Sequence, residues 1–107
     1  MSIIRHGKLV RDRIPAIIAD AGKTCVTRTL TDEEYIADLD AKLTEELAEY
    51  HADGSPEELA DLLEVMMAAA AARGYDFAQI EAIRQRKAAE RGGFAARIWL
   101  ESVETAD

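Results

Sequence analysis

Two helix-start signals, Thr31 with Glu34 and Ser55 with Glu58, lie either side of a single Gly54-Ser55-Pro56 break. In each, a hydroxyl residue is followed three positions later by a glutamate, the spacing of a capping box. Gly54 suits a helix stop, and Pro56 falls at the first helical position, where its missing N–H costs nothing. Before the break Ile36, Leu39, Leu43, Leu47 and Tyr50 recur at helical spacing as one apolar stripe,. After it Leu59, Leu62, Leu63, Met66, Met67 and Ala70 form a second, on a helix running to about Arg73 with Gly74 as its stop,. Two striped helices joined by a tight turn predict an antiparallel hairpin. The run Ala68 to Ala72 lets the two helices approach closely.

Weaker signals flank this hairpin. Ile14 to Ala21 reads as a short first helix, with Pro15 in its first turn and Gly22 as its stop. The β-branched run 24–30 reads as extended. Asp76 with Gln79 opens a fourth helix that carries Ile80 and Ile83 and ends at Gly92-Gly93. Phe94 to Leu100 forms a short apolar tail. The expected fold class is all-α: an antiparallel helical hairpin as the core of a four-helix-type bundle, with short extended N- and C-terminal segments. At 107 residues one domain, 1–107, is expected,. A chain of this size buries roughly 65% of its unfolded surface, so long apolar faces favour a homo-oligomer, a dimer or higher. The longest apolar run, Val65 to Ala72, is too short to span a bilayer, and Met1 to Leu9 lacks a signal core. A cytoplasmic chain is expected. The single Cys25 excludes an internal disulfide and a cysteine-based zinc site, and reads as a small apolar filler,.

The net charge of −8 is unevenly spread. Residues 1–30 hold six Lys/Arg against two Asp/Glu, residues 31–64 one against thirteen, and residues 65–107 six against six. An acidic middle between basic ends does not suit generic nucleic-acid binding. Its acids are also ordered. At 100° per residue Glu46 and Glu49 share one flank of the apolar stripe, Glu46 nearer the seam and Glu45 further towards solvent. Glu58 and Asp61 are i,i+3 neighbours on the next helix. An antiparallel pairing sets Glu49 level with Glu58 and Glu46 level with Asp61, with Lys42 the one cation on that flank. Each like-charge pair near 4 Å costs about 1 kcal/mol in water and up to about 4 kcal/mol at an effective dielectric of 20. A hard, oxygen-seeking cation reverses that sign, and Mg2+ or Mn2+ fits because no Cys and no well-placed His offers a softer ligand. Read without a cation, the same residues are a solvated acidic face.

The order Glu45-Glu46-x-x-Glu49 followed by Glu58-x-x-Asp61 resembles the all-α nucleotide pyrophosphohydrolase superfamily, which includes MazG-like proteins, dimeric dUTPases and phosphoribosyl-ATP pyrophosphohydrolases. The opening Lys8-Leu-Val-Arg-Asp-Arg-Ile-Pro15 and the closing Lys87-Ala-Ala-Glu-Arg-Gly-Gly-Phe94 look like a phosphoribosyl-ATP pyrophosphohydrolase-like subgroup. The resemblance covers most of the chain. It implies Mg2+-dependent cleavage of a nucleotide between its α and β phosphates, releasing pyrophosphate. By the same analogy Glu46, Glu49, Glu58 and Asp61 hold the metal, and Glu45 stands behind them or orients the attacking water. Lys87 and Arg91, and Lys42 with them, bind phosphate oxygens. It also implies sites built at subunit interfaces. Eight residues separate Glu49 from Glu58, fewer than is usual in that family, so the turn is expected to be tight and the substrate pocket small.

Other residues carry weaker signals. Arg5, Lys8, Arg11 and Arg13 form either a solvated basic segment or an arm reaching a site. Asp12, between two arginines, reads as an ion-pair partner, and His6 and His51 as surface histidines. Phe94 and Trp99 read as packing or interface residues. The rival function is a non-catalytic nucleotide- or metal-binding regulatory module on the same fold.

Overall fold

A computed structural model describes residues 2–106 and is all-α, with four helices and no strand among those residues. They are α1 (Ile14–Asp20), α2 (Asp32–Asp53), α3 (Pro56–Ala72) and α4 (Phe77–Arg91). The chain divides into two compact units, Met1–Tyr75 with α1 to α3 and Asp76–Asp107 with α4.

The helix limits follow from local chemistry. Thr31 accepts from the Glu34 N–H at 3.2 Å while Glu34 accepts from the Thr31 N–H at 3.0 Å, a complete capping box at the start of α2. Gly54 ends α2 with φ +68°, the left-handed conformation that a side chain resists,. Ser55 then caps α3, accepting from the Glu58 N–H at 3.4 Å. The reciprocal half predicted for Glu58 is not made, and its Oε2 is buried without a hydrogen-bond partner. Asp76 and Gln79 complete the box that opens α4.

In the first unit α2 and α3 pack as an antiparallel hairpin, the helix packing of a bundle. Arg73 near the end of α3 reaches Asp40 on α2 at 3.4 Å, which pins the far end. The seam differs from the predicted one. Leu39, 3% exposed, is the one buried apolar residue among the described residues. Along α3 the half-buried positions are Glu58, Asp61, Leu62, Val65, Ala68, Ala69, Ala70 and Ala72, whereas Leu59, Leu63, Met66 and Met67 are exposed by 40% or more. Leu62 and Ala70 keep their predicted places, but the rest of the α3 seam is turned by about one residue from the predicted stripe. Its small residues face α2, where they permit close approach, and its Leu and Met side chains form an outer face. That rotation carries Glu58 and Asp61 from the flank into the seam.

One further reading is corrected. Cys25 is exposed and fills no core. Of the two roles open to Phe94 and Trp99, 99% and 85% exposed, packing in a core is removed. Residues 24–30 pair with no strand; Arg28 instead makes a forked ion pair to Glu34, with contacts of 3.2 and 2.9 Å. No helix among the described residues is long and apolar enough to cross a membrane.

Candidate metal centre

The hairpin brings Glu46, Glu58 and Asp61 together, each offering a carboxylate oxygen within 4.8 Å of the other two. Glu46 comes from the middle of α2. Glu58 and Asp61 come from the first turns of α3, set at that depth by the tight Gly54-Ser55 turn. Glu46 is 8% exposed, the one buried charged residue among those described. Its Oε2 and that of Glu58 are both buried without a hydrogen-bond partner. A buried carboxylate oxygen left unpaired is unfavourable by about 1–3 kcal/mol or more, and two converging on a third carboxylate could hold a hard divalent cation,.

Both acids titrate high. Burial pushes the Glu46 carboxyl above its ordinary value, helped by Glu49 and Asp61 and opposed by Lys42. Burial also raises Glu58, with Glu49, Asp61 and Asp53 adding to it. Glu49 is exposed and stands beside the group of three, close enough to disfavour charge on both Glu46 and Glu58. Lys42 sits at 3.3 Å from Glu45 and 3.9 Å from Glu46, so Glu45 is tied to this lysine at the edge of the group.

Asp61 has a second partner. Arg11, from the segment before α1, donates to its Oδ1 at 2.7 Å. That segment closes one side of a cavity of about 210 Å3, whose wall includes Arg11, Lys42, Glu46 and Asp61 on one part and Leu39 and Val65 on another. The sequence pattern leaves Arg11 undecided and turns Glu64 away from the cluster, whereas Glu64 lines the cavity. Lys87 and Arg91 belong to α4 of the second unit, where both are exposed.

No family model matches the chain. A 45-residue stretch is 62% identical to an uncharacterized protein of Mycolicibacterium smegmatis, covering 42% of this chain and 46% of that protein. The match thus takes in less than half of that relative's length. No solved structure matches.

Proposed function

We propose that this chain is a Mg2+- or Mn2+-dependent nucleotide pyrophosphohydrolase, cleaving between the α and β phosphates and releasing pyrophosphate. The observation that carries the reading is Glu46, a nine-tenths buried carboxylate with an unpartnered oxygen that converges with Glu58 and Asp61 from the next helix. Those three residues would hold the cation, with Glu49 beside them. The order of acidic motifs noted in the sequence adds the phosphate chemistry.

When bound, the cation supplies Lewis acidity towards a phosphate oxygen and towards water. The protein's part is to hold the carboxylates in place before any ligand arrives. Glu46 is fixed by the α2–α3 seam and Asp61 by the first turns of α3. Glu49, exposed beside buried Glu46 and half-buried Glu58, would be a further carboxylate for the cation, and Glu45 would orient the attacking water. Lys42 sets a positive charge against the cluster, where a phosphate oxygen gains charge in the transition state,. The exposed Leu59, Leu63, Met66 and Met67 face of α3 is where a second copy of the chain would dock.

The test is pyrophosphate release from a panel of ribo-, deoxyribo- and modified nucleoside triphosphates and phosphoribosyl-ATP, with Mg2+ and with EDTA. Metal-dependent pyrophosphate from any member supports the enzyme. A folded chain that takes up the cation and releases none from the whole panel is a binding module instead.

A further inference from the structure

Arg11 is the one cation on the cavity wall that comes from outside the hairpin, and its place there is not explained by stability. The Arg11–Asp61 pair is 59% and 40% exposed at its two side chains, and exposed ion pairs contribute little to folding. Its position is more specific than its energy. Asp61 is one of the three residues whose oxygens converge, so Arg11 and a divalent cation draw on the same carboxylate. A guanidinium at 2.7 Å from Asp61 and a doubly charged ion on that side chain repel one another more strongly than two unit charges would,. Lys42, the other cation of the wall, is already engaged by Glu45 and Glu46 and lies on the opposite helix.

Resting on the metal-centre reading above, we propose that Arg11 and the divalent cation are alternative partners of Asp61. When the cation binds, the guanidinium transfers to an oxygen of the phosphate-bearing ligand in the cavity. The chemistry suits the exchange. A guanidinium is a planar fork of donors that pairs with carboxylate and with phosphate in the same bidentate manner, so the side chain trades one oxyanion for another without losing its charge partner. Arg11 stands five decades of sequence away from Asp61, on a segment held to the cavity by half-buried Leu9. The side chain, half exposed, has room to turn. The consequence is that metal and phosphate binding become coupled through one residue: the chain holds the bare cation less tightly than its carboxylates would, and holds the cation with its anion more tightly.

The experiment uses the full chain, wild type, Arg11→Gln and Arg11→Lys, with Lys23→Gln as a control for loss of one positive charge elsewhere. Mn2+ uptake is read by loss of the free-ion EPR signal. Methylenediphosphonate, a non-hydrolysable probe, is then titrated calorimetrically onto the Mn2+-loaded chain. Arg11→Gln is expected to bind Mn2+ about 2- to 5-fold more tightly, the worth of an exposed ion pair. It is expected to bind methylenediphosphonate about tenfold or more weakly, the worth of a charged hydrogen bond. Arg11→Lys should fall between wild type and Gln on the second measurement, and Lys23→Gln should match wild type on both. Unchanged or weaker Mn2+ binding by Arg11→Gln overturns the exchange while leaving the metal centre standing, as does unchanged binding of the diphosphonate. A wild-type chain that takes up no Mn2+ overturns the metal centre and the exchange with it.

Discussion

Glu46 is held against its own electrostatic preference: it is buried, has an unpaired oxygen, and sits beside Glu49 and Asp61 with Lys42 alone opposing them. Removing its charge should therefore have opposite effects on folding and on function. Glu46→Gln is expected to raise stability in EDTA by about 1 kcal/mol, the lower end of a like-charge contact, as read by urea denaturation. It should also lower pyrophosphate release by more than the roughly 10- to 100-fold typical of changes around a metal's ligands. Asp61→Asn should lower release similarly. Activity that survives both substitutions would remove these residues from the centre. The pH response has a definite sign as well. Glu46 and Glu58 bind protons more tightly folded than unfolded, so in EDTA stability should rise as pH falls from about 7 towards the ordinary carboxylate value of 4.5,. Below that value Glu34 takes over. Its carboxyl is pulled down to about 2 by Arg28 and the Thr31 cap, and its stabilisation is lost as the pH falls through that range,. A urea midpoint that drops steadily between about pH 7 and about pH 5 would contradict this account; saturating Mg2+ should flatten the rise.

At the scale of elements, the turn between α2 and α3 carries the arrangement. An added Cβ at Gly54 would meet nothing closer than the Tyr50 carbonyl at 3.9 Å, so Gly54→Ala tests backbone conformation alone. It should cost about 1–2 kcal/mol, the penalty for a left-handed alanine, and Ser55→Ala about 1 kcal/mol through the lost cap. Both are measurable by thermal or urea unfolding. The helix boundaries were legible because capping is local: Thr31, Gly54, Ser55 and Asp76 act within four residues of themselves. The convergence of Glu46 with Asp61 followed from counting residues back and forward from the same turn. The seam was less legible. Leu and Met outweigh Ala in any count of hydrophobicity, so the outer face of α3 read as the inner one, while Val65, Ala68 and Ala69 were chosen by closeness of approach. Glu58 read both as half of a capping box and as a member of the cluster, and its carboxylate belongs to the cluster alone. Arg11 had no local signal, its partner lying fifty positions along the chain.

At the scale of the whole molecule, an outer face of Leu59, Leu63, Met66 and Met67 on a chain of 107 residues predicts self-association,. Light scattering coupled to size exclusion should give at least twice the 11.8 kDa chain mass. Leu63→Glu and Met67→Glu together should return it towards the single-chain value. Mg2+ should raise the melting temperature by mass action, by the equivalent of about 2.7 kcal/mol at a hundred times its dissociation constant. No such rise would leave the acids as a solvated face.

The two-residue turn also bears on how such a centre is inherited. One residue inserted after Gly54 would lengthen the turn and reset the depth and the facing of α3 against α2. Every acidic residue would remain in the sequence, yet Glu58 and Asp61 would leave the seam. The centre is therefore written in spacing as much as in composition. A chain keeping all the acids with a different turn length would look like kin on a motif search and share none of the chemistry. One that swaps an acid but keeps the turn would be a single substitution from regaining it.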